Sequence, residues 1–161
     1  MNLMFENKVA LVTGAASGMG LVTAQAFAAE GAAVALVDIN ESAARTAVEQ
    51  LVADGHRAIA IGCDVTDEAQ VKKMIERTVS TFGSLDAAFN NAGVQSLAVK
   101  TADSTSEEFD RVNAINLRSV WLCMKYELLQ MRTQSRNRHC PCGAKQDGTL
   151  PFDLPGTCGR G

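Results

Sequence analysis

A chain of 161 residues has room for one domain and little more. It is 47% apolar and 20% charged, the balance of a folded protein rather than a disordered one. A net charge of −3 opposes a nucleic-acid partner, and no apolar run reaches the roughly 18–20 residues that cross a bilayer. The opening MNLMFENK has no charged-then-apolar leader, so secretion is not expected.

The composition is uneven along the chain. Residues 1–134 hold 16 acidic and 11 basic side chains, whereas 135–161 hold 2 and 4. The same last stretch contains all three prolines, three of the five cysteines and five of the thirteen glycines. We therefore expect a folded domain over 1–134 and an irregular, disordered tail over 135–161.

Residues 8–13 (KVALVT) form an apolar run without polar alternation, as do 33–38 (AVALVD), 58–62 (AIAIG) and 85–89 (LDAAF). Such runs predict strands buried on both faces, as parallel strands are. The first run leads into Thr13-Gly14-Ala15-Ala16-Ser17-Gly18-Met19-Gly20, a G-x-x-x-G-x-G loop opening a helix. Gly14 suits a tight turn. Gly18 and Gly20 suit close approach of a diphosphate to the free N–H groups and positive end of that helix. An ordinary strand-to-helix turn is the competing reading.

Asp38 closes the second strand. A carboxylate there would accept from the adenosine ribose hydroxyls and repel a 2′-phosphate. No Lys or Arg lies between Gly14 and Asn40, so the expected cofactor is NAD rather than NADP. Asp38 could instead be a solvated strand end or a cap for the next helix. That helix is predicted over 41–53, with Gly55 as its stop. After the third strand, Asp64 either reaches an adenine amino group or serves as a turn residue before a helix starting near Asp67.

The next helix shows Val71, Met74, Ile75, Thr78, Val79 and Phe82 on one face. The fourth strand ends in Asn90-Asn91-Ala92-Gly93. A last helix is expected over 106–131, with Phe109, Val112, Val120 and Cys123 along its inner stripe. Asn116 falls on that stripe, where a buried carboxamide needs a partner. The alternation β-α-β-α-β-α-β-α predicts a Rossmann-type doubly wound parallel α/β sheet. It should be incomplete, with about four strands in order 3-2-1-4 and helices on both faces.

TGAASGMG (13–20), LVDI (36–39), CDVTD (63–67), NNAG (90–93) and INLRSVWLCMK (115–125) together resemble the short-chain dehydrogenase/reductase family. The resemblance covers 7 to about 134. It implies a cytoplasmic oxidoreductase moving hydride between a nicotinamide and a small-molecule alcohol or ketone, without nucleic acid or membrane partners. It places Gly14, Ser17, Gly18, Met19 and Gly20 at the cofactor's phosphates and ribose, and Asp38 as the NAD selector. It puts Asp64 and Val65 at adenine, and Asn91 and Gly93 near the nicotinamide ribose. Asn116 becomes the asparagine of an Asn-Ser-Tyr-Lys catalytic set, bonded to a water of the proton relay; a bond to nearby backbone is the alternative. The helix over 106–131 would also build a homo-oligomer interface.

The rest of the catalytic set is missing from these residues. The single tyrosine, Tyr126, is followed four positions later by Gln130 rather than Lys. It also lies about 15 Å along the helix from Asn116, so we expect it to be a packing residue. Residues 135–161 replace the family's fifth strand, and one base of shift restores a strand-like reading of 136–140. The expectation is a truncated, frame-shifted and inactive member. A non-catalytic dinucleotide-binding module, an oligomerisation partner of an intact homologue, and a product without function are the alternatives. His139, Cys140, Cys142 and Cys158 do not have zinc-ligand spacing, so no metal is expected. Cys63 and Cys123 should be buried thiols.

Overall fold

The computed structural model describes residues 3–96 and 98–138, with side chains to 134. The tail beyond 138, with His139 and its three cysteines, lies outside the described residues. Strands β1 (Val9–Thr13), β2 (Ala33–Asp38), β3 (Ala58–Gly62) and β4 (Ala87–Asn90) form one parallel sheet in order β3-β2-β1-β4. Helices α1 (Gly18–Ala29), α2 (Glu41–Ala53) and α3 (Glu68–Phe82) make the crossovers. α4 (Ser106–Asn113), a π-helical turn (Ala114–Arg118) and α5 (Ser119–Arg138) follow.

The central strands β1 and β2 are buried on both faces, which is why their apolar runs carry no alternation, while the outer strands β3 and β4 are only half-buried. Leu11, Val37 and Ile61 pack with Met74, Leu85, Leu122 and Cys123 from the α3–α5 side. Ala10, Val12, Val34 and Leu36 pack with Ala24, Ala28 and Leu51 from the α1–α2 side. The small residues of α1 let that helix lie close to the strands.

The fourth strand starts two residues later than its apolar run suggests. The Leu85 backbone is held from outside the sheet: Gln134 Oε1 accepts its N–H at 3.1 Å and Gln134 Nε2 donates to its carbonyl at 2.5 Å. The last helix also departs from expectation. It is broken by the π turn, which adds a residue to one turn and so rotates everything before it against everything after. Cys123 is buried, but Phe109 is 66% exposed rather than part of an inner stripe, and Leu122 takes the core position instead. Among the described residues no helix is long and apolar enough to cross a membrane.

Candidate functional site

The loops after β1 and β4 are stitched together by Thr13, a buried hydroxyl at the end of an apolar strand. Its Oγ1 accepts from the N–H groups of Asn91 and Ala92 at 3.0 and 3.1 Å. Asn91 Nδ2 donates back to the carbonyls of Thr13 and Gly14 at 3.2 and 3.3 Å. Sequence reasoning gave Thr13 no role. The signal that could have found it is that a hydroxyl in such a run must be paired.

Gly14 has φ +64, and a Cβ there would lie 2.9 Å from Ala92 Cα. A Cβ on Gly20 would sit 2.1 Å from the Gly14 carbonyl oxygen, so the first turn of α1 rests directly on the glycine turn. Ser17 is the N-cap of α1 but makes no side-chain cap bond, and the first turn carries no acidic residue. By contrast Asn40, Asp67 and Thr105 cap α2, α3 and α4 with their side chains. Ser17, Gly18 and Met19 are exposed, so the leading N–H groups and positive dipole end of α1 face outward.

Asp38 touches this mouth. Its Oδ2 accepts from Ala16 N at 3.0 Å and its Oδ1 from Asn40 N at 2.9 Å. It does not cap α2; Asn40 does, accepting from Ala43 N at 3.2 Å. Asp64 serves its turn, with Oδ1 accepting from Thr66 N at 2.9 Å and Thr66 Oγ1 at 2.7 Å. It also lines a cleft of about 180 Å³ together with Gly14, Asp38, Val65 and Gly93, and with Ile39, Val94 and Ile115, which sequence reasoning had not singled out. Ser17, Gly18, Met19 and Gly20 stand at the adjoining helix start, and Asn91 immediately precedes Ala92, which lines the cleft. A wider groove of about 460 Å³ along Asp110, Leu117 and Trp121 includes none of the expected site residues.

Asn116 corrects an expectation. It is exposed rather than buried, because it lies in the π turn, where the helical stripe changes face. Both ends of its carboxamide bond backbone: Oδ1 accepts from Val94 N and Nδ2 donates to Val94 O, both at 2.8 Å. Gly93 leaves room for this, since a Cβ there would be 3.3 Å from Asn116 Oδ1. Asn116 therefore ties the loop after β4 to the π turn through its side chain.

Neither buried thiol is a nucleophile at neutral pH. Burial pushes Cys63 up to about 11 and Cys123 up to about 12. Tyr126 packs against the α3–α5 core, and its hydroxyl donates to Glu68 Oε1 at 2.8 Å, beside Lys125 Nζ at 2.7 Å from the same oxygen. The bond to Glu68 holds the phenol above its ordinary value, opposite to what proton transfer would need.

The parallel order 3-2-1-4, with a glycine turn and a strand-end carboxylate at the carboxyl edge of the sheet, defines a Rossmann-type α/β protein. The sequence profile of the short chain dehydrogenase family matches residues 8–138, and the chain belongs to that family. Secoisolariciresinol dehydrogenase of Forsythia intermedia is 41% identical over 122 residues, 75% of this chain and 43% of that protein. Cyclohexanol dehydrogenase of Acinetobacter sp. (strain SE19) is 41% identical over 128 residues, 80% of this chain and 51% of that protein. The structure is similar to NAD+-bound xylitol dehydrogenase, with TM-score 0.79 and 40% identity over 81% of this chain and 50% of the other. It is also similar to a Brucella melitensis 3-ketoacyl-(acyl-carrier-protein) reductase complexed with NADH, with TM-score 0.78 and 34% identity over 83% of this chain and 54% of the other. The chain spans about half the length of the curated relatives it matches.

Proposed function

We propose that the domain binds NAD, with the diphosphate on the first turn of α1 and the adenosine ribose at Asp38. One juxtaposition carries this reading: the Asp38 carboxylate lies on the Ala16 amide of the glycine turn, beside a helix start that no side chain caps. The residues present fit the group. Gly14, Gly18 and Gly20 keep side chains out of the mouth, while Ser17 and Met19 flank it. Asp64 and Val65 form the adenine wall, and Asn91 and Gly93 the nicotinamide-ribose wall. Asp38 accepts from ribose hydroxyls and repels a 2′-phosphate, and the absence of Lys or Arg between Gly14 and Asn40 supports NAD over NADP. The nicotinamide, when bound, supplies hydride chemistry toward a small alcohol or ketone.

In this reading the chain's residues bind and orient. Asn116 positions the loop that carries Gly93, and its catalytic partners, a Ser and a Tyr-x-x-x-Lys, are not supplied by Tyr126 and Gln130. We infer a cytoplasmic protein whose 161 residues alone do not turn over secondary alcohols. NAD at a hundred times its Kd should stabilise the fold by about 2.7 kcal/mol, raising Tm by about 5–10 °C. NADP should do markedly less, and Asp38→Asn should narrow the difference. Folded protein that NAD leaves unshifted refutes the site; steady NADH production refutes the inactivity. A non-catalytic binding module that partners an intact homologue is the second reading. It is favoured by the exposed stripe of Leu117, Trp121 and Leu128.

A further inference from the structure

Asn90 ends β4, and Glu127 of α5 faces it at only 4% exposure. Asn90 Nδ2 donates to Glu127 Oε2 at 3.0 Å. Among the described residues the amide oxygen Asn90 Oδ1 and the second carboxyl oxygen Glu127 Oε1 are buried without a donor. Two orphaned acceptors on adjoining side chains are a costly arrangement for a carboxylate. They are the expected arrangement for a carboxylic acid. A proton on Oε1 makes it a donor, and the acceptor it requires is Asn90 Oδ1. Acid and amide then close a ring of two hydrogen bonds that satisfies both orphans at once.

We propose that Glu127 is carried as a neutral carboxylic acid and that its ring with Asn90 positions the end of β4, and with it Asn91 and Ala92, at the wall of the cleft. Asn90 pairs in register with Thr13, whose hydroxyl holds the next two amides, so fixing Asn90 to α5 fixes that stitch. Burial also pushes the Glu127 carboxyl upward, against the lowering effect of the Asn90 N–H. The titratable groups on this side are thiols: Cys123, one turn earlier on α5, and Cys63 beyond it, both held protonated by burial. From β4 the facing group is Asn90, which does not titrate. Among the described residues no cation pairs with Glu127. The inference concerns the seam between α5 and β4 and stands whatever the cleft binds.

A carbon-13 NMR titration of the side-chain carboxyls in the full chain tests it, with Glu127 assigned by its loss in Glu127→Gln. The Glu127 signal should remain at its protonated position at neutral pH. Glu127→Gln keeps a donor in the same place and should leave the Asn91 and Ala92 amide shifts unchanged, whereas Glu127→Ala should move them. Over the window between the unfolded and the raised folded value, the native state holds a proton that the unfolded chain has lost. Wild-type stability should therefore fall there as pH rises, a slope absent from Glu127→Gln. A Glu127 carboxyl ionised at neutral pH overturns the proposal, as does a Gln variant that displaces those amides as far as Ala does. If Glu127→Ala does not fold, the wild-type titration and the Gln variant decide the matter alone.

Discussion

At the residue scale the mouth of the site is set by what has no room to be larger. Gly20→Ala drives a methyl into the Gly14 carbonyl, which neither the helix nor the turn can vacate. It should cost about 1–3 kcal/mol in urea unfolding and should also weaken NAD binding. Gly55→Ala makes the useful comparison. Its Cβ meets nothing within 4 Å, but φ is +87. It should cost about 1–2 kcal/mol of backbone strain and leave NAD binding intact. Thr13→Val keeps the shape and removes the acceptor of two N–H groups, so about 1–3 kcal/mol should be lost and the loop after β4 released. Hydrogen exchange at Asn91 and Ala92 would read that release.

At the element scale, the start of α3 shows how much of a helix is decided by its cap. Asp67 accepts from Ala69 N and Gln70 N, and Gln70 Nε2 donates to its second oxygen. The Gln70 side chain and these amides hold the carboxyl below its ordinary value. A depressed folded value contributes stability that is present above the unfolded value, near about 4, and is lost as pH falls through the folded one. Asp67→Ala should therefore lower Tm by a few degrees at neutral pH, and the gap to wild type should close on acidification. The apolar stripe of α3 and the Gly55 stop of α2 were legible in the chain, and both helices fall where expected; their caps, Asn40 and Asp67, were not singled out. Nor was the π turn legible. Nothing in Ala114-Ile115-Asn116-Leu117-Arg118 marks an extra residue per turn. The turn is held by tertiary bonds, Asn116 to Val94 and Arg118 Nη1 to the Thr66 carbonyl at 3.1 Å.

At the scale of the whole molecule, the α4–α5 side is half core and half open. Leu122 and Cys123 seal the sheet, and Leu122→Ala should cost about 2–5 kcal/mol. Leu117, Trp121 and Leu128 face outward along one stripe, at 67%, 56% and 56% exposure. We propose this stripe as the surface through which copies of the chain associate. Sedimentation velocity should show mass rising with concentration for the wild-type chain, and Trp121→Glu should keep it monomeric. A wild-type chain that stays monomeric would remove this helix as the interface.

The sequence by itself determined the sheet, its order and the residues of the glycine turn, because buried parallel strands leave unbroken apolar runs and a turn with positive φ and close backbone contact calls for glycine. It also placed Asp38 at the right strand end. Only the tertiary structure decided that Asp38 bonds the glycine turn rather than capping α2. The same holds for Thr13 joining two loops, for Asn116 lying outside the core, and for Glu127 facing Asn90. Each of these pairs residues 22 or more positions apart. Periodicity reports which face of its own element a side chain occupies; which distant backbone or side chain meets it there depends on how the elements pack.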